Sequence, residues 1–176
     1  TAAQVGYEPL QIARNFPSAV VAVDANRQRG IERLVSEHSP DLILLDDAFQ
    51  HRKVRPSHSI LLTAWDELYT EEPYLPAGNL RDHRSQARRA DLIVVTKCPA
   101  DMPRDKKGEI RTKLRPRAGQ KLAFASLCYG DPRDEQGQAF PFETLLKQRL
   151  TVVTGIARPE PLLRYLGSKG VRFEHL

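Results

Sequence analysis

Residues 42–52 read LILLDDAFQHR: four apolar residues lead straight into two adjacent carboxylates, Asp46 and Asp47, followed by Phe49, Gln50, His51 and Arg52. In open α/β sheets ligands bind at the carboxyl ends of the strands. A carboxylate at such an end can hold Mg²⁺, directly or through water, while the metal bridges the phosphates of a nucleotide. The competing reading is that Asp46 caps a turn and Asp47 is merely solvated. His51 is placed to orient a phosphate or hydrogen-bond an aspartate, or is an ordinary loop histidine. Gln50 can place a water or a phosphate oxygen, and Phe49 is expected to pack the turn.

The elements that must position these residues follow from hydrophobic patterning. Short apolar, β-branched runs at 19–24, 41–47, 59–64, 91–97, 121–127 and 151–157 read as strands. Several are apolar without alternation, which suits strands covered on both faces by helices. Stretches 26–38, 80–90, 104–115 and 159–169 read as helices, the last with Pro159 at its start, where a missing N–H costs nothing. A βαβα rhythm of this kind implies α/β architecture with a doubly wound, mostly parallel sheet. Residues 65–86 form a long proline-marked loop, and 128–142 reads as an exposed turn between two extended pieces, a hairpin insertion. The pattern restarts near residue 150 as β-α-β. The expected organisation is therefore a core over 1–127, a hairpin or linker over 128–150, and the start of a C-terminal subdomain over 151–176.

Composition narrows the class. The 176 residues suffice for a good-sized domain with its own core. A net charge of +5 fits an anionic partner without choosing one. Helix-turn-helix, RRM and zinc patterns do not occur, so nucleic acid is not expected as a partner. The sequence holds no apolar run of membrane-spanning length. Cys98 and Cys128 have no metal-ligand spacing and read as buried free thiols.

Several segments together resemble the tetraacyldisaccharide 4'-kinase (lipid A 4'-kinase) family of Gram-negative bacteria, in its Bacteroidetes branch. LDDAFQHRKV stands where the family usually has DDGFQH, with Ala48 for the glycine. LPAGNLRD at 75–82 and RADLIVVTKCP at 89–99 follow in the family's order. VGYEPLQIARNFP at 5–17 is similar to its VGDEP segment, and GIARPEPLLRYLGSKG at 155–170 to its GI-NPERF segment. The resemblance covers essentially the whole chain. It implies a P-loop NTPase-like fold and transfer of the γ-phosphate of ATP, with Mg²⁺, to the 4'-hydroxyl of a tetraacylated glucosamine disaccharide 1-phosphate. It also implies a peripheral position at the cytoplasmic face of the inner membrane, contacted through parts outside this chain, and a monomer.

Carried over residue by residue, the resemblance assigns Asp47, or the Asp46–Asp47 pair, to the metal, with Asp47 and His51 at the reacting phosphate. Glu8 becomes a metal or lid carboxylate, against a plain reading as favourable charge at a helix N-terminus. Tyr7 is a departure, because the family has an aspartate there, thought to be the general base. A tyrosine with a pKa near ~10 is neutral at pH 7 and a poor proton acceptor. Arg81, whose guanidinium can fork onto phosphate oxygens, and Asp82, in place of the family's glutamate, become substrate contacts along with Gln50. Against that stands a helix start with Asn79 as cap and Asp82 in the first turn. Thr96 and Lys97, at a strand end, would lie against the nucleotide base, or Lys97 is simply exposed. Arg84, Arg88 and Arg89 form a basic helix face, either solvated or facing the substrate's 1-phosphate or acidic lipid.

The G-x-x-x-x-G-K-[ST] loop that cradles β- and γ-phosphates does not occur in the sequence. The family carries it upstream of VGDEP, and carries an FPDHH segment beyond the point where this chain stops. The chain, opening at Thr1 without methionine, is thus expected to be the middle of a longer enzyme. A noncatalytic Mg-nucleotide or phosphosugar binding module of the same fold is the alternative, favoured by Tyr7. The isolated 176 residues, without the phosphate-cradling loop, are expected to transfer no phosphate from ATP to the lipid disaccharide. Radiolabelled transfer above background by this chain alone would contradict that.

Overall fold

A computed structural model describes residues 6–156 and 158–176. The chain is α/β and divides at Leu127/Cys128 into two compact units, each described by itself below.

In the first unit, three parallel strands, β1 (Ile60–Ala64), β2 (Leu92–Cys98) and β3 (Lys121–Ser126), lie in the order β1-β2-β3. β2 is central, and its sequence shows why. Ile93 and Val95 alternate onto one face and are fully buried, while Leu92, Val94 and Thr96 on the other face are half-buried. Past Val95 the pairing with β3 shifts register, and Lys97 takes φ 58°. A bulge of this kind re-aims side chains, and here it exposes Lys97 and returns Cys98 to the core. Helix α3 (Arg104–Leu114) buries Ile110 and Leu114, four residues apart on one stripe. The core is completed by Leu68, Met102, Trp65, Tyr69, Leu122 and Phe124. Helices α1 (Tyr7–Asn15) and α2 (Arg27–His38) precede the sheet and bury no residue fully.

The expectations hold unevenly. Helices over 26–38 and 104–115 are found within a residue or so as α2 and α3, and strands at 59–64, 91–97 and 121–127 as β1, β2 and β3. The runs 19–24 and 41–47 are not strands. A strand exists through a ladder partner, and among the described residues neither run has one. Both are irregular chain, with Leu42 and Leu44 exposed. Ile60 and Leu62 on β1 are also exposed, so that strand is not covered on both faces among the described residues. The helix read over 80–90 shrinks to a 3₁₀ helix at Arg84–Arg89. It starts late because His83, not Asn79, is its cap: the His83 side chain accepts from the Ser85 N–H.

The second unit is built on a parallel pair, β4 (Arg149–Val152) and β5 (Arg172–His175), joined through α5 (Glu160–Ser168). The first of these strands is shorter and earlier than the 151–157 read from sequence, and α5 falls within the expected 159–169. A short helix α4 (Glu143–Leu146) comes before β4. Leu166 and Val171 are buried, and Tyr165 stacks on Tyr129 at 4.4 Å, with Phe142 edge-on at 5.9 Å. A narrow antiparallel bridge, Arg133 to Ala139, closes the expected hairpin turn. Cys98 is buried, as read, and burial pushes its thiol pKa up. Cys128 is exposed, against the reading of two buried thiols: it opens the second unit in irregular chain instead of ending a strand.

Candidate functional site

The segment after Leu45 is two tight turns in succession. Asp46 Oδ1 accepts the Asp47 N–H at 2.9 Å. Asp47 takes φ 42°, a left-handed conformation that Asp tolerates better than most residues. The His51 N–H then reaches the Ala48 carbonyl at 2.9 Å, and Val54 N–H the His51 carbonyl at 3.3 Å. Asp46, Asp47, Gln50 and His51 are all left exposed on one compact loop. The sequence alone puts the two acids at the end of a buried strand. In the structure they follow an irregular run without ladder partners among the described residues.

Side chains from distant parts of the chain secure this loop. Arg81 forks onto Asp47, Nη2 to Oδ1 at 2.7 Å and Nη1 to Oδ2 at 3.3 Å. This bond holds the Asp47 carboxyl below the usual carboxylate range; slight desolvation opposes it, and the fields of Arg81, His51 and Arg27 add to the lowering. Asp82, with its side chain 19% exposed, accepts Arg52 Nη2 at 2.8 Å and lies 3.7 Å from Arg89 Nη2. Arg89 Nη2 donates to the Phe49 carbonyl at 2.6 Å, and its guanidinium sits 4.3 Å above the Phe49 ring.

Helix α2 starts beside the loop. Asn26 caps it, accepting from the Gln28 and Arg29 N–H groups at 3.1 and 3.3 Å. Arg29 forks onto Asp24 at 2.7 and 2.8 Å, and this hydrogen bond, helped by the Asn26 N–H, lowers the Asp24 pKa to about 2. Arg27 donates to the Asp24 carbonyl. Between this helix start and the loop lies a cavity of about 520 Å³ lined by Asn26, Arg27, Gln50, His51, Arg52 and Lys53. Arg29 and Arg52 are committed to carboxylates and the first α2 N–H groups to the Asn26 cap, which leaves Arg27, Lys53 and the polar tips of Gln50 and His51 to meet an anion. A second cavity, about 440 Å³, is lined by Tyr74, Leu75, Leu80, Arg81, Asp82 and His83. Arg81 thus stands between an acidic turn and a partly apolar hollow.

The structure brings together Asp46, Asp47, Gln50, His51, Arg81 and Asp82. It does not join Tyr7 and Glu8 to them: both begin α1, Tyr7 is 84% exposed, and neither makes a hydrogen bond or ion pair with these side chains. Thr96 donates to the Thr63 carbonyl at 3.3 Å and Lys97 stands exposed, both at the carboxyl end of β2. The supposed basic face is mostly committed: Arg84 donates to the Glu72 carbonyl and lies over Tyr74, Arg89 holds Phe49, and Arg88 is exposed. Sequence reasoning missed Arg27 and Arg52. The signal for Arg27 was present, since VDAN followed by a helical pattern marks a helix start. As for a metal, no cluster of three or more His, Cys, Asp or Glu side chains occurs among the described residues. The adjacent carboxylates of Asp46 and Asp47 still fit Mg²⁺, which takes hard oxygen donors and is held by one or two carboxylates plus phosphates.

The family model for Tetraacyldisaccharide-1-P 4'-kinase matches residues 1–176. A tetraacyldisaccharide 4'-kinase of Flavobacterium johnsoniae is 42% identical over 163 residues, covering 92% of this chain and 48% of the relative. Those of Bacteroides thetaiotaomicron and Parabacteroides distasonis are 40% and 43% identical, covering 94% and 92% of this chain and 47% and 46% of the relatives. The chain therefore spans about half the length of the curated relatives it matches. No solved structure matches.

The pairing of Arg81 with Asp47 has a direct consequence. Replacing Arg81 with Gln is expected to move the Asp47 titration up toward the ordinary aspartate value of about 3.9. The sign follows from the pairing: a carboxyl held low in the folded state adds stability above its unfolded pKa, lost as pH falls through the folded pKa. Carbon-13 carboxyl titration by NMR reads this. An unchanged Asp47 midpoint in Arg81→Gln would contradict the ion pair.

Proposed function

Because the chain belongs to the tetraacyldisaccharide 4'-kinase family, we propose that it is part of an ATP-dependent kinase that phosphorylates the 4'-hydroxyl of a tetraacyldisaccharide 1-phosphate in lipid A biosynthesis. The observation that carries this reading is the loop of residues 46–52, which presents two carboxylates beside a cationic, anion-sized cavity and an arginine. The parallel ladder of β1, β2 and β3 is consistent with a doubly wound, P-loop NTPase-like sheet. We place the protein peripherally at the cytoplasmic face of the inner membrane, as a monomer.

Each side chain has a definable task. Asp46 and Asp47 would hold Mg²⁺, whose charge neutralises the phosphate oxygens of ATP. Arg27 and Lys53, in the cavity next to the loop, would receive those oxygens. His51 and Gln50, on the same turn, would orient the transferred phosphate. Arg81 would exchange Asp47 for a phosphate oxygen once the carboxylate is engaged, since a guanidinium fork fits either anion. Asp82 and the hollow from Tyr74 to His83 would face the sugar of the lipid. Thr96 and Lys97 would lie against the nucleotide base.

Proton removal from the sugar hydroxyl is where this sequence departs from its family. Tyr7 is a weak proton acceptor at neutral pH, and Glu8 is the nearest carboxylate along the chain. A second reading follows from that one position: a Mg-nucleotide or phosphosugar binding module that kept the loop and lost the base.

The test is phosphate transfer from ATP to the disaccharide 1-phosphate by the full-length protein, with Asp47→Asn and Tyr7→Asp alongside. Asp47→Asn is expected to cost about 100-fold or more, equivalent to roughly 3 kcal/mol of transition-state stabilisation. Tyr7→Asp is expected to gain about 10²–10⁴-fold, the usual worth of a positioned base. Equal rates for the unaltered protein and its Tyr7→Asp variant would move the base to Glu8 or Asp47. Nucleotide binding without transfer in either form would favour the binding module.

A further inference from the structure

The 46–52 loop has no ladder to hold it, because the run before it pairs with nothing among the described residues. Something else must fix where its carboxylates stand relative to the sheet. Arg81 grips Asp47 itself, but that bond has to open if Asp47 is to meet a metal. Arg89 grips the same loop at Phe49, away from the carboxylates, with two contacts there and a third to Asp82. Its Nη2 donates to the Phe49 carbonyl at 2.6 Å, its guanidinium lies 4.3 Å above the Phe49 ring, and the same nitrogen is 3.7 Å from Asp82 Oδ2. Asp82 in turn takes Arg52, at the far end of the loop, at 2.8 Å. The loop is thus tied at its middle and its end to one arginine–aspartate pair.

Arg89 is itself well anchored. It ends the 3₁₀ helix at Arg84–Arg89, and Ala87 and Ala90 beside it are buried. Gln120 Nε2 donates to the carbonyls of Ala87 and Ala90 at 2.8 and 2.7 Å, fastening that helix to the turn before β3. Three residues after Arg89 the chain enters β2, the central strand. A displacement of the loop relative to β2 must therefore break the Arg89 contacts.

We infer that Arg89 is a positioning residue: without touching metal or substrate, it sets the placement of the Asp46–Asp47 carboxylates through Phe49 and Asp82. This rests on the reading that those carboxylates hold a metal. A flat guanidinium can stack on a ring and donate in its own plane at once, which an ammonium cannot do, so lysine restores the charge but not the grip.

The experiment uses full-length protein and measures binding of Mn²⁺, in the presence of ADP, by electron paramagnetic resonance. Urea unfolding of each variant is followed separately. Arg89→Met is expected to weaken Mn²⁺ binding about 10–100-fold, the usual cost of losing a group that orients metal ligands. Arg89→Lys, which keeps a cation beside Asp82 and guards against a misfolded Met variant, is expected to recover part of that loss. Phe49→Leu, which keeps the carbonyl but not the ring, is expected to lie between wild type and Arg89→Met. Lower unfolding midpoints with unchanged Mn²⁺ affinity in both Arg89 variants would make Arg89 merely structural and overturn the inference. An Asp47→Asn protein that binds Mn²⁺ as wild type does would overturn the metal site itself, and this inference with it.

Discussion

The acidic 46–52 loop is held by arginines far along the chain: Arg81, 34 residues past Asp47, on the Asp47 carboxylate, and Arg89, 40 residues past Phe49, on the Phe49 carbonyl. That long-range grip is the constraint on which the rest of the site depends. Two adjacent anions on an exposed turn repel each other, and neither is relieved by a strand ladder. Arg81 answers the charge of Asp47 directly. Arg89 and Arg52, meeting at Asp82, hold the turn as a body. The pairs are at least partly exposed, so each adds little to overall stability. Their importance is geometric: they decide where the acids stand.

The same grip explains the placement of the neighbouring elements. The segment from Tyr74 to Arg89 would otherwise be a long irregular connection between β1 and β2. It is folded back by Arg84, which reaches the Glu72 carbonyl, and by Glu72, which accepts the Asn79 N–H at 2.8 Å. Gly78 fits within this fold because any Cβ there would fall 2.4 Å from the Pro73 carbonyl oxygen. The folded segment carries Arg81 to one side of the acidic loop while α2 brings Arg27 to the other. A cavity with Arg27 and Lys53 in its lining lies on the α2 side, and a partly apolar one on the Arg81 side.

Much of this was legible in the sequence, and what was not has physical reasons. β2 could be read because Ile93 and Val95 alternate within an apolar, β-branched run, and α3 because Ile110 and Leu114 share a helical stripe. The Asp46–Asp47 pair announced itself by chemistry. The runs at 19–24 and 41–47 have strand composition as strong as β1, but composition cannot supply a ladder partner. The helix read over 80–90 failed because Asp82 is drawn to Arg52 instead of capping, so helical turns begin only after His83. Arg84 and Arg89 looked like a solvated face because their partners, Glu72 and Phe49, are remote in sequence or are backbone carbonyls, which no side-chain pattern reveals. Arg27 could be placed at a helix start from the sequence, but its closeness to Asp47 exists only once α2 and the loop are brought together.

In the proposed kinase, Asp46 and Asp47 form the metal end of a nucleotide-phosphate site. The most direct measurement is anomalous diffraction from crystals of the full-length protein grown with Mn²⁺ and a non-hydrolysable ATP analogue. A manganese peak against the Asp46–Asp47 carboxylates, with Arg81 turned from Asp47 onto a phosphate oxygen and Arg89 still on Phe49, is the predicted result. A manganese peak elsewhere, with the Arg81–Asp47 pair intact, would contradict it.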